Sequence, residues 1–406
     1  MNMIYLDNNA TTLMPAEVCQ ELLNWCNRGN PSSGYASAVA ARKMMDSFRN
    51  YLLDLCGCRG EYVVIFTSGA SEANATILRG VVDSYEEVTG RVPHLVVSAI
   101  EHKSIIEAAH SMQKRHRARV TFVAPTPLGH IRPEDVAAAI EPDTCLVCVM
   151  HANNETGAIN NIRAIGAIAH KNNIPFHCDT VQSFGKHPIQ PLVENVDSFS
   201  ISFHKLGGPP GIGALVVRRK FLEGYKLSPL IFGTQNDGRR GGTENLPGIG
   251  AAFAACRIAM QDRAAKNKRL GQLKSLLVTQ LATKLPVRSY ADYLKSPGNQ
   301  PLQIVVISGT DGYLCNTIML SVVKRPEPIC NVKLKKTLEQ NGVVVSIGSA
   351  CNTSSPKASH VVEAMGMDQF VRKGVLRISL GDDNTKDEII KFVEIFTAAV
   401  KMQTKK

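Results

Sequence analysis

From about residue 60 to residue 220 the sequence alternates between short β-branched runs and longer stretches of helical character. The runs fall at 62–66, 94–98, 120–123, 145–150, 174–177, 198–203 and 214–217. This alternation is the pattern of a layered α/β fold on a mostly parallel sheet, because parallel strands need a crossover between them. In such sheets ligands gather beyond the carboxyl ends of the strands. The polar clusters of this region lie at those ends: Thr67 to Glu72, Glu101 to Lys103, His151 to Thr156, Asp179 to Gln182, and Ser202 to Lys205. They converge on one edge of the expected sheet.

After Pro247 the pattern changes. Residues 249–285 form a long amphipathic stretch that predicts one helix leading into a second, smaller domain. That domain is expected to hold strands at 302–307, 343–346 and 375–379, and helices at 332–341, 360–365 and 386–401. The expected organisation is a large sheet domain over residues 15–250, with residues 1–14 packing on a small α+β domain over 251–406. Residues 321–331 break the pattern and read as an inserted loop. No internal repeat or low-complexity linker is present.

With 406 residues and 44% hydrophobic content, the chain can bury a large core. No apolar run approaches the roughly 18 residues of a membrane span. The N-terminus begins at once with strand-like sequence and lacks a basic or amphipathic leader, so the chain as given reads as cytoplasmic. Its 11 cysteines are scattered, unlike a secreted disulfide framework. Two close pairs, Cys56 with Cys58 and Cys145 with Cys148, read as small buried hydrophobes rather than metal ligands. The formal net charge is +11, but the basic residues are spread and carry no aromatic interleaving. This reads as a solvated basic surface and argues against a nucleic-acid partner.

The chemistry rests first on Asp179 and Lys205, each at the end of an expected strand. That pair is what a pyridoxal 5'-phosphate enzyme needs: the amine forms the Schiff base, and the carboxylate keeps the pyridine nitrogen protonated so that the ring can take up electrons. The turn Ser68 to Ser71, with Ala70, opens a helix whose N-terminal N–H groups suit a phosphate. A serine N-cap would look the same. His204 and Thr243 offer further phosphate contacts. His102 could stack on a flat cofactor or be a polar loop histidine. Asn154 offers an amide at another strand end, and Gln182, three residues past Asp179, could hydrogen-bond the cofactor's phenolic oxygen.

A second reactive centre is Cys351, in the small, polar segment Ser346 to Ser355. Structural cysteines prefer apolar runs, so a thiol here suits a nucleophile. Arg377 lies inside the apolar run 375–379 and calls for an anion such as a substrate carboxylate. The alternative is an edge-strand arginine facing water.

Together these pieces resemble the cysteine desulfurases of the NifS/IscS type, within the class V aminotransferase-like group of fold-type I pyridoxal phosphate enzymes. The resemblance runs from Tyr5–Thr12 to Arg377–Gly381. It is carried by Asn30-Pro-Ser-Ser33, Glu101-His-Lys103, Asn153-Asn-Glu155, Asp179-Thr-Val-Gln182, Ser202-Phe-His-Lys205, Arg239-Arg-Gly-Gly-Thr-Glu-Asn245 and Gly348-Ser-Ala-Cys351. It implies that Lys205 is the Schiff-base lysine and proton shuttle, that Asp179 pairs with the pyridinium nitrogen, and that His102 is catalytic, stacking on the ring and assisting in acid–base steps. Asn154 and Gln182 would tune the phenolic oxygen, with Asn154 also touching substrate. Ser71, Ala70, Ser202 and His204 would hold the phosphate. Thr243 would reach the phosphate of a neighbouring subunit, which implies a homodimer. Arg377 would clamp the carboxylate of L-cysteine. Cys351 would attack the sulfur of the cysteine–cofactor adduct, giving a persulfide and releasing alanine.

The resemblance further implies delivery of sulfur to an acceptor protein, either an iron–sulfur scaffold or a thiolation factor. It implies no metal. Ser71 stands where the family usually has Thr, and Asn236 where an acidic residue is usual. A selenocysteine lyase shares nearly the same site. A non-catalytic scaffold of the same fold is the reading from another class, and the intact set of Lys205, Asp179, His102, Cys351 and Arg377 weighs against it.

Overall fold

The structure is a computed structural model that describes residues 3–298, 300–348 and 359–404. Cys351 lies outside the described residues. The strands in chain order are β1 (Ile4–Tyr5), β2 (Tyr62–Thr67), β3 (His94–Ser98), β4 (Arg119–Val123), β5 (Thr144–Cys148), β6 (Phe176–Asp179), β7 (Ser198–Ser202) and β8 (Gly213–Arg218), followed by β9 (Val287–Ser289), β10 (Leu302–Val306), β11 (Thr317–Lys324), β12 (Val343–Val344) and β13 (Val375–Ser379).

Seven strands make one sheet in the order β2-β8-β7-β6-β5-β3-β4. The strands β7, β6, β5, β3 and β4 are successively parallel, and β8 runs antiparallel to both β2 and β7. Six of the seven strands therefore point the same way, and Thr67, Ser98, Cys148, Asp179 and Ser202 end on one edge. Helices cover both faces, which is why the strands read as near-continuous apolar runs instead of alternating ones. On one face Val63, Ile65, Leu95 and Val97 pack with Ala73, Ile77 and Val81 of the helix Ala70–Thr89. On the other, Val64, Phe66, Val96 and Val147 pack with Met45, Phe48 and Leu52 of the helix Ala36–Leu55. Cys145 and Cys148 are buried in β5, and Cys56 and Cys58 are buried as well.

A second sheet has the order β13-β11-β10-β9, and β1 pairs in parallel with β12. Ile4 and Leu6 join Leu334, Leu338, Phe392 and Phe396 in an apolar cluster with this sheet. The first residues are thereby fixed beside β13, where Asp7 bridges Ser379.

Two sequence expectations need correction. The stretch 249–285 is two helices, Leu246–Met260 and Arg263–Ala282, separated by extended Gln261 and left-handed Asp262. The first helix buries Ile249, Ala252 and Cys256 against the large sheet, and the second buries Leu270, Leu273, Leu277 and Leu281 in the other cluster. Two cores at different angles require a turn, and Asp tolerates the left-handed conformation better than most residues. The boundary expected at residue 250 thus falls inside a helix. Residues 321–331 are not an inserted loop. Ser321 to Lys324 complete β11, an inner strand paired with both β10 and β13, and Asn331 opens the helix Asn331–Gln340. Irregular backbone is confined to 325–330, where two prolines prevent the strand from continuing.

Candidate active site

The polar ends of the parallel strands enclose a cavity of about 410 Å³. Ten of the sequence-derived residues line it: Ala70, Ser71, His102, Asn154, Asp179, Gln182, Ser202, His204, Lys205 and Arg377. Thr243 does not line the cavity of its own chain; it is exposed in the loop 226–245.

Lys205 sits in the short 3-10 turn Phe203–Leu206 that follows β7. Its amine donates to the carbonyl of Asn9 at 2.8 Å and to that of Ala10 at 2.7 Å. Burial lowers its pKa to about 7, with Arg377 and Lys186 adding to the effect and Asp7 and Asp179 opposing it. Asp179 ends β6. Its Oδ1 accepts the Val181 N–H at 3.0 Å, and its Oδ2 accepts from Asn74 Nδ2 at 3.0 Å. Gln182 donates to the Asn9 carbonyl at 3.0 Å and accepts from Lys186 at 3.4 Å.

His102 caps the helix Lys103–Lys114, its Nδ1 accepting the Ser104 N–H. Burial lowers its pKa, with Asp179 opposing and Lys205 reinforcing the effect. His204 is pushed down to about 4 by burial and by Lys205. Burial thus favours the neutral form of both rings.

At the other wall the helix Ala70–Thr89 points its N-terminus into the cavity. Glu72, in its first turn, accepts the Ser68 N–H at 2.7 Å and pairs with Arg240 at 2.9 Å. Burial raises this carboxyl's pKa, but Arg240 and Ser68 outweigh it and hold the carboxyl below its ordinary value.

Arg377 faces the protein interior, not water, with 2% exposure. Nor is it without an anion. Nη2 donates to Asp7 Oδ1 at 2.7 Å and Nη1 to the Asn154 carbonyl at 3.0 Å, while buried Nε has no partner among the described residues. Nearby, Glu155 is fully buried in the cavity wall. Its Oε1 accepts from Ser359 Oγ at 2.8 Å, its Oε2 has no partner among the described residues, and a Cβ on Gly348 would stand 3.1 Å from that oxygen. Residues on both sides of the Cys351 segment therefore meet at one carboxyl. His360 follows, donating through Nε2 to the Glu101 carbonyl at 2.9 Å.

Sequence reasoning missed Asp7, Asn9, Glu72, Asn74, Glu155 and His360 as site residues. Asp7 and Asn9 stand in the polar run Asp7-Asn-Asn9, immediately after an apolar strand, and that run was their signal. Glu155 is the neighbour of Asn154. Nothing local marks Asn74, whose partners come from two other elements, β6 and the helix Lys103–Lys114.

The class-V aminotransferase family model matches residues 4–392. The chain belongs to that family. Among curated class-V relatives it is similar to the Cysteine desulfurase IscS of Anaeromyxobacter dehalogenans (strain 2CP-C), 33% identical over 98% of this chain and 92% of that protein. Among solved class-V structures it is similar to a NifS-like protein with a TM-score of 0.84 and 30% identity, covering 98% of this chain and 100% of the other. It is also similar to SspA solved in complex with cysteine, with a TM-score of 0.73 and 28% identity over 94% of this chain and all of that one. The fold is thus the large mostly parallel sheet with a smaller sheet shared by the NifS-like members.

No helix among the described residues is long and apolar enough to cross a membrane. No group of three or more His, Cys, Asp or Glu side chains that could hold a metal ion occurs among them.

Proposed function

We propose that this class-V chain is a cysteine desulfurase that converts L-cysteine to L-alanine and retains the sulfur as a persulfide on Cys351, using pyridoxal 5'-phosphate held by Lys205. The observation that carries this reading is the meeting, in one cavity, of a buried lysine, a strand-end aspartate and a buried arginine, with the roots of the cysteine segment in the same wall. An ordinary aminotransferase has no use for that last feature.

The residues fit the cofactor. A helix N-terminus with Ala70 and Ser71, together with Ser202 and His204, suits a phosphate dianion. Asp179 suits a protonated ring nitrogen, Asn154 and Gln182 a phenolic oxygen, and His102 a ring face. When bound, the cofactor supplies an electron sink for bonds at the substrate's α- and β-carbons.

The protein does the rest. Lys205, neutral above about pH 7, takes and returns the proton at the substrate's α-carbon. Arg377, whose Nε is unpaired among the described residues, holds the substrate carboxylate. The Cys351 thiolate takes the sulfur: a carbon–sulfur bond breaks, a sulfur–sulfur bond forms, and protonation of the carbon left behind completes alanine. The persulfide sulfur then passes to an acceptor protein, an iron–sulfur scaffold or a thiolation factor. Thr243 serves the cavity of a second copy in a homodimer. The loop 226–245 supports this, because Ile231 and Phe232 stand exposed on it, Phe232 by 79%.

The test is covalent. Borohydride reduction of the purified protein should fix one pyridoxyl phosphate on the peptide containing Lys205, and Lys205→Ala should retain no cofactor colour through gel filtration. Label on another lysine, or none on a protein saturated with pyridoxal phosphate, contradicts the assignment.

A further inference from the structure

Behind the cavity wall a single amide ties together the two groups assigned to the cofactor ring. Asn74, in the helix Ala70–Thr89, is fully buried. Its Nδ2 lies 3.0 Å from Asp179 Oδ2 and 3.0 Å from Ser104 Oγ, and its Oδ1 lies 3.0 Å from His177 Nε2. His177 Nδ1 is 2.9 Å from Ser198 Oγ. Ser104 Oγ is in turn 2.9 Å from His102 Nδ1.

The proton positions follow from the chemistry of the donors. An ionised carboxylate only accepts, so the amide must present its NH₂ to Asp179. The amide oxygen then faces His177, which must carry its proton on Nε2 and accept the Ser198 hydroxyl at Nδ1. The second amide hydrogen occupies Ser104 Oγ, and the serine's own hydrogen is left to point at His102 Nδ1. That nitrogen already accepts the Ser104 backbone N–H. With Nδ1 an acceptor from two donors, the single proton of neutral His102 sits on Nε2.

We propose that Asn74 is a positioning residue for the reaction: its buried amide donates to Asp179 Oδ2 and holds that carboxylate in place as an acceptor beside the cavity. The inference rests on the reading above that Asp179 faces the ring.

Two readouts separate this from a merely structural role. With cofactor bound, Asn74→Ala should move the pH midpoint of the visible absorbance by about one unit and speed cofactor loss roughly tenfold, as expected for losing a hydrogen bond to a charged group. The His102 tautomer, fixed by the Ser104 backbone N–H, should not change. Asn74→Asp, nearly isosteric, should move the midpoint further, because it replaces a donor with a second carboxylate beside Asp179.

An unchanged absorbance midpoint in both Asn74 variants overturns the proposal. If the wild type binds no pyridoxal phosphate, the reading of function fails instead, and ¹³C-carboxyl titration of Asp179 in the cofactor-free protein decides the Asn74 contact: an upward shift in Asn74→Ala supports it and no shift overturns it.

Discussion

Arg377 Nη2 lies 2.7 Å from Asp7 Oδ1, so the guanidinium of the last strand is tied to a carboxylate 370 residues away in the sequence. The pair is shielded, with side-chain exposures of 2% and 14%. Asp7 holds one face of the fork and the Asn154 carbonyl a second position, while Nε has no partner among the described residues. Asp7 therefore orients the guanidinium proposed above to bind the amino acid, without occupying all of it.

Arg377→Ala should raise the KM for L-cysteine by roughly 10- to 100-fold, the scale of a hydrogen bond to a charged partner. Asp7→Asn keeps one acceptor and should raise it less. Steady-state kinetics on both variants test this. An unchanged KM in Arg377→Ala would remove the arginine from substrate binding.

The Glu72–Arg240 pair predicts a charge effect on the cofactor. A carboxylate in the first turn of a phosphate-facing helix repels a dianion unless it is neutralised. Arg240 supplies that neutralisation at 2.9 Å. Arg240→Ala should weaken pyridoxal phosphate binding by about three- to tenfold, and adding Glu72→Gln should recover part of the loss. Absorbance titration of the cofactor-free variants measures it. If the double variant binds no better than Arg240→Ala alone, repulsion by Glu72 is not the cause.

Lys205 sets a pH dependence. Its folded pKa is lowered from 10.5 to about 7, chiefly by burial. The unfolded chain binds the extra proton between these values, so this group's penalty on stability is full below pH 7 and is relieved as pH rises toward 10.5. The nucleophilic amine is likewise available above about pH 7. The initial rate at which the cofactor-free protein captures pyridoxal phosphate should rise through pH 7 and then level off. Lys186→Met, which removes a neighbouring positive charge, should shift the midpoint upward. A rate still climbing at pH 9 would contradict the lowered pKa.

Much of this was readable along the chain because it depends on neighbours in sequence. The run 94–98 became β3 and the run 375–379 became β13, since strands buried on both faces need unbroken apolar residues. Lys205 and Asp179 were visible because polar residues at strand ends have few structural uses. What sequence could not show depends on pairing across the chain. Asp7 meets Arg377, Asn9 meets Lys205, and Asn74 meets Asp179, each across more than a hundred residues. The turn at Asp262 carries no Gly or Pro, and only the two cores it serves explain it. Residues 321–324 were misread because two prolines beyond them outweighed a β-branched run that continues into β11.

The most direct test of the central claim is alanine released from L-cysteine by the purified protein, with Cys351→Ser and Lys205→Ala assayed in parallel. The account predicts alanine from the wild type and none from either variant, with cofactor still bound in Cys351→Ser. Equal alanine from Cys351→Ser, or none from a cofactor-loaded wild type, would contradict it.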